Sequence, residues 1–274
     1  MSVWQAAFGV EPAEPAPVGA DRWARAVDLG ARGRAAAARA IVADLLRDPR
    51  VPDEIRALAC ATRASLTRQA GGHALARADD GAGVRAATGL HGRWGVAARL
   101  DALIGLAADG LGIGAFSASA TLLDRAAAEM ADAPAAIAQD WLCVGRPRLR
   151  LAWVRTELAL YSGAPGADRC AAEAMELAAA APSSRHRIKT DLIAAAASAA
   201  AGDVAHAATE AERLSDACRA AGLLPLEWAA HTMLAGLRPG PTASSVADRL
   251  RGDMVTLGMA FEPLPGTTAT DRYA

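Results

Sequence analysis

Residues 146–163 read RPRLRLAWVRTELALYSG and residues 185–202 read RHRIKTDLIAAAASAAAG, and the two align without a gap at a shift of 39 residues. Each opens on alternating basic residues, continues with apolar residues at helical spacing, and ends at a glycine that leads into a second helix. Two such stretches at one shift indicate a repeated two-helix unit. A unit of this kind buries its apolar stripe only when neighbours stack on it.

Working outward, the same punctuation recurs along most of the chain. A first hairpin is expected from Asp21 to about Asp48, with Asp21 as N-cap, Trp23, Ala26, Val27 and Gly30 facing inward, and a turn at Gly33. Its second helix presents Ala38, Ile41, Val42 and Leu45, and Pro49 ends it. Further hairpins span about Asp53 to Ala87, Val96 to Ala131, Pro147 to Ala181 and Arg185 to Ala220, with a last pair from Pro225 to Leu257. Ala133 to Asp140 reads as a connection holding a short helix. The Pro- and Ala-rich stretch Glu11 to Gly19 reads as a linker or disordered arm, and Phe261 to Ala274 as a frayed tail. The expected layout is an amino-terminal segment over 1–19, one helical-repeat domain over 20–257, and a tail over 258–274.

Composition supports helices and excludes several functions. Apolar residues make up 53% of the 274 positions and aromatics only 4%. Alanine supplies about a quarter, well above ordinary usage, and it favours thin helices that approach closely. No long β-branched run is present that would build a sheet. A net charge of −1 argues against a general nucleic-acid binder. Cys60, Cys143, Cys170 and Cys218 are scattered without a CxxC pair, as in a chain kept in a reducing compartment. There is no secretory signal at Met1 to Val10 and no apolar run of spanning length, so a cytoplasmic protein off the membrane is expected.

The small residues carry a family resemblance. Gly202 is followed by Asp203 and then Ala207; Gly33 precedes Ala38 by five, with Leu45 and Pro49 beyond; Gly71 precedes Ala76; Gly166 precedes Ala171, Ala178 and Pro182. On these positions the chain resembles the tetratricopeptide-repeat superfamily in degenerate form, over about residues 20 to 257. The unit is longer than the usual 34 residues, most aromatic positions are lost, and Ser119 stands where alanine would follow Gly114. The resemblance implies an all-α, right-handed solenoid of about five to six antiparallel hairpins. It also implies a protein or peptide partner bound in the concave groove, as in domains of bacterial regulators.

Catalytic motifs are absent. Lys189 is the only lysine and lies in RHRIKTD, which excludes a GxxxxGK[ST] phosphate loop. Gly110, Gly112 and Gly114 form a GxGxG run, but the preceding segment is helical, so a hairpin turn explains them better than a nucleotide site. His73, His91, His186, His206 and His231 show no metal-ligand spacing, and Glu227 with His231 reads as a polar pair on a helix surface. Asp79 and Asp80 read as a solvated helix end. No cofactor or metal and no enzymatic activity are expected.

One feature stands out. At the 39-residue shift, Arg146, Arg148 and Arg150 match Arg185, Arg187 and Lys189, so stacked first helices would carry a basic ladder. Cations are unfavourable at a helix N-terminus, which suggests that the positive field has a use. Arg155 extends the ladder and Trp153 adds an apolar contact, making these eight residues the candidate partner-binding set, selective for negative charge. The bland alternative is neutralisation by acids such as Glu173, Glu176 and Asp191. Three readings follow: an open groove for an acidic peptide or protein, a closed pocket for a small anion near Arg148, Arg187 and Trp153, or an enzyme on an atypical helical fold, for which no residue speaks. Val3, Trp4, Phe8 and Val10 form either a docked segment, a first helix or a loose end, and self-association through terminal hairpins stays open.

Overall fold

Glycine and proline stop the helices close to where their positions in the chain suggest. The computed structural model describes residues 1–261, with only the backbone at 241 and 242. The described residues are helical, with no strand. In chain order the helices are α1 (Val3–Phe8), α2 (Ala20–Ala31), α3 (Ala35–Arg47), α4 (Asp53–Arg68), α5 (His73–Ala87), α6 (Gly92–Gly112) and α7 (Phe116–Ala131). The short α8 (Ala135–Ala138) follows, then α9 (Arg146–Ser162), α10 (Ala167–Ala179), α11 (Ser184–Ala200), α12 (Val204–Ala221), α13 (Leu224–Leu237) and α14 (Pro241–Thr256). A turn of wide π-helix, Trp141–Gly145, runs directly into α9. The tail expected beyond Phe261 lies outside the described residues.

Apart from the short α8, each helix packs against its chain neighbour, and a second set of contacts links alternate helices. α2 touches α4, α4 touches α6, α6 touches α9, α9 touches α11, α11 touches α13, and α13 touches α2 again. The two ends of the chain therefore meet. Ala36 donates its backbone N–H to Leu257 at 2.9 Å, and Arg39 donates to the Gly258 carbonyl at 2.7 Å. Met254 and Met259 share a buried cluster with Ala35 and Ala70 at this seam. Buried alanines such as Ala57, Ala64, Ala98, Ala107 and Ala174 line the contacts, and their small size permits the close approach.

The largest core holds α1 in place. Trp4, Phe8, Trp23 and Trp94 form a ring cluster with centroids 5.0 to 6.3 Å apart. Trp4 donates its indole N–H to Asp21 at 2.6 Å. Asp21 therefore anchors α1 and is not the expected N-cap of α2, a position that Gly19 occupies. Gly9 ends α1 with φ of 78°, and a Cβ there would lie 2.6 Å from the Pro182 backbone, so both conformation and space require glycine. The stretch after α1 is an irregular surface loop held at Glu14 by Arg93, 3.4 Å away.

The glycines near the third turn also divide by role. Gly114, with φ of 77°, makes the turn between α6 and α7. Gly112 is still helical, and a Cβ there would meet the His73 ring at 2.1 Å.

Candidate functional site: a basic central hollow

Spacing along a helix decides which cations face the centre. Residues four apart share a face, whereas residues two apart lie about 200° apart around the axis. Arg146 and Arg150 on α9, and Arg185 and Lys189 on α11, are such four-apart pairs, and all four line the space enclosed by the inner helices. Arg148 and Arg187 fall on the opposite faces and line none of it. Arg187 is exposed and donates to the Ala181 carbonyl, and Arg155 pairs with Asp124 at 3.1 Å on the surface. The alternating ladder is thus corrected: of the eight candidates, the structure brings together Arg146, Arg150, Trp153, Arg185 and Lys189, and leaves Arg148, Arg155 and Arg187 outside.

The α9 cations also escape the unfavourable dipole field expected at a helix start. The π turn places a helical turn ahead of Arg146, so the α9 cations do not sit at a free helix start. The acids expected to neutralise the set, Glu173, Glu176 and Asp191, form no ion pair with it. Asp101 on α6 does that instead. Arg146 grips it bidentately at 2.9 and 2.6 Å, both side chains being buried, and Arg150 reaches the same carboxylate. Burial alone would raise the Asp101 carboxyl, but Arg146 and Arg150 hold it below its ordinary range.

The hollow has three adjoining lobes that share lining residues. One of about 120 Å³ is lined by Phe8, Trp23, Asp101, Arg146, Arg150 and Arg185. The largest, about 580 Å³, is lined by Arg68, Arg150, Glu157 and Lys189 together with Leu111, Val154, Phe116 and Tyr161. A third of about 360 Å³ lies between Glu157, Arg185, Lys189, Ile193, Leu226 and Trp228. Ser65 and Gln69 border all three.

Charge in this space is unevenly matched. Arg68 pairs with both Asp80 and Asp109, which are fully buried. Burial, and Asp109 beside it, push the Asp80 carboxyl well above its ordinary value, while Arg68 opposes the rise. Arg185 forms no salt bridge among the described residues, and donates to the Ala7 carbonyl at the end of α1 at 3.1 Å. Burial and the neighbouring Arg146 bring it down to about 10. Lys189 also forms no salt bridge among the described residues, and its Nζ lies 4.6 Å from the Trp153 ring centre. Burial depresses the ammonium, Glu157 partly offsets this, and Arg150, Arg68 and Arg185 add to the depression. Trp153 is fixed by its indole N–H to Thr190 at 2.8 Å and stacks on His186 with ring centres 5.6 Å apart.

Two further expectations change. Asp80 is no solvated helix end; only Asp79 is half-exposed, bonded to Arg63 at 2.6 Å. Glu227 and His231 are both buried, Glu227 accepting from Arg219 at 3.1 Å. Reasoning from the residues missed Arg68, Asp101, Glu157 and Tyr161. Glu157 and Tyr161 were within reach, since they continue the Arg146, Arg150, Trp153 face of α9 at helical spacing. Asp101 was not, because no local spacing ties it to Arg146, 45 residues away. Among the described residues no three His, Cys, Asp or Glu side chains converge to hold a metal ion, and no helix is long and apolar enough to cross a membrane.

No protein-family model matches the chain, no curated protein matches its sequence, and no solved structure matches its fold.

Proposed function

We propose that the protein is a non-enzymatic binding domain that senses a small anion in its central hollow, built as a closed array of about six tetratricopeptide-like hairpins. The observation carrying this reading is that Arg185 and Lys189 face the hollow without a carboxylate partner. Unpaired cations away from bulk water are unfavourable, and an anion placed between them would relieve their depressed pKa values. The two larger lobes fall in the range of small-molecule sites, about 300–1,000 Å³.

An open groove for an acidic peptide or protein has less support. The contact of α13 with α2 bridges the two ends of the array, and α1 covers part of the basic face through Ala7 and Phe8. The unpaired thiols of Cys60, Cys143, Cys170 and Cys218 fit a cytoplasmic setting. The tetratricopeptide likeness rests on the small residues at the turns and the repeated 39-residue shift.

Thermal melting of the purified chain with inorganic phosphate and simple carboxylates tests the reading. At a ligand concentration a hundred times its Kd, the bound form gains about 2.7 kcal/mol, enough to read as a clear rise in Tm. Lys189→Met and Arg185→Met should abolish the rise. No rise with any anion, at pH values where both groups are charged, would remove the proposal.

A further inference from the structure

Glu157 is the one feature of the hollow that a simple anion does not explain. It lines the two larger lobes together with Lys189, on the neighbouring helix. It forms no salt bridge and no hydrogen bond among the described residues. The two opposite charges thus face one space, feel each other's field, and do not touch. A carboxylate and an ammonium that line one cavity without pairing match a ligand that carries both charges in reverse order.

The rest of the 580 Å³ lobe describes the body of that ligand. Its other lining includes Ala108, Leu111, Val154, half-buried Phe116 and Tyr161, which is 71% exposed. The inner cations Arg68 and Arg150 already hold Asp80, Asp109 and Asp101, so they add positive field without being free to close on Glu157.

We infer that the lobe binds a free α-amino acid with an apolar side chain. Its carboxylate lies on Lys189, its ammonium on Glu157, and its side chain against Leu111, Val154 and Phe116. This rests on the anion-binding reading above and names its ligand class. A ligand with an anion alone would meet repulsion from Glu157, and one with a cation alone would meet Lys189, Arg68 and Arg150.

Isothermal titration of the full chain with L-leucine, L-isoleucine, L-valine, L-methionine and L-phenylalanine in turn provides the test, with inorganic phosphate and 3-phenylpropanoate as anions lacking the ammonium. At least one amino acid should bind, and its deaminated and decarboxylated analogues should each bind tenfold or more weakly. Lys189→Met should weaken the amino acid at least tenfold. Glu157→Gln should also weaken it, yet leave or strengthen the deaminated analogue, so the gap between the two narrows. Circular dichroism melting shows that both variants are folded. Binding of phosphate or 3-phenylpropanoate but of no amino acid overturns this inference and leaves the anion reading standing. So does equal binding of amino acid and deaminated analogue that Glu157→Gln does not alter. Silence from every compound overturns both.

Discussion

Gly105 shows how much a single missing Cβ can decide. It stands in the middle of α6, where glycine costs a helix about 0.5–1 kcal/mol against alanine. A Cβ there would lie 2.3 Å from the Asp80 carboxylate, so the bare backbone makes room for the carboxyl that pairs with Arg68. Gly105→Ala should lower stability by about 1–3 kcal/mol in denaturant unfolding, the usual range for overpacking. Gly236→Ala in α13 meets nothing within 4 Å and should instead be neutral or stabilising. His186 supplies a second expectation at this scale. Burial first, then Arg185, Arg146, Arg150 and Lys189, hold its imidazole well below its ordinary 6.5. The unfolded chain takes up a proton below that pH and the folded chain resists it, so stability falls as pH drops below 6.5. The slope reaches about 1.4 kcal/mol per pH unit for one proton. Thermal melting between pH 7 and pH 5 should show a shallower fall for His186→Gln than for the unaltered chain. His73 and His231 are depressed in the same direction in both, so the difference between the curves isolates His186.

At the scale of the helix, periodicity sorts residues that the chain presents in a row. Arg148 and Arg187 sit between functional candidates in sequence and on the wrong face in space. Reversing both to glutamate should leave anion binding within about twofold, since neither side chain lines the hollow. Arg150→Met combined with Lys189→Met should abolish it. A loss caused by the Arg148 and Arg187 changes would contradict the assignment of faces. The short α1 offers the opposite case, a six-residue helix with little stability of its own, held by tertiary contacts. Its Trp4 and Phe8 are almost wholly buried, Trp141 donates to the Phe8 carbonyl at 3.0 Å, and Arg185 donates to Ala7. Phe8→Ala should cost about 3–5 kcal/mol, as for other buried aromatic truncations, read by denaturant midpoint.

For the whole molecule, closure matters more than any one hairpin. The seam between α3 and the end of α14 rests on Met254, Met259 and two hydrogen bonds. Met254 also lines the third lobe with Arg185 and Lys189, so Met254→Ala should destabilise by about 2–5 kcal/mol and weaken anion binding there, because an opened seam hydrates the hollow. Calorimetry on the same sample reads both effects. Weakened stability with unchanged affinity would mean that the hollow does not depend on the seam.

Much of this molecule was legible in its residues, and the reason is locality. Helix starts and stops came within a few positions for α2 through α14, because glycine, proline and 3.6-residue spacing act over one or two turns. The π turn at Trp141–Gly145 carries no such signal, and it moved the α9 cations away from a helix start. The candidate site was legible only by half. The segments at 146 and 185 do lie together, yet their alternating charges divide between an inner and an outer face. Which arginines find a counter-ion depends on Asp101, and whether the array stays open depends on α13 and α14 meeting α2 and α3. Sequence alone determined an all-helical chain, its helix bounds and its repeated basic segments, since these follow from interactions between near neighbours. Tertiary structure decided the docking of α1, the neutralised and the unpaired cations, and the hollow itself, since these come from groups far apart in the chain.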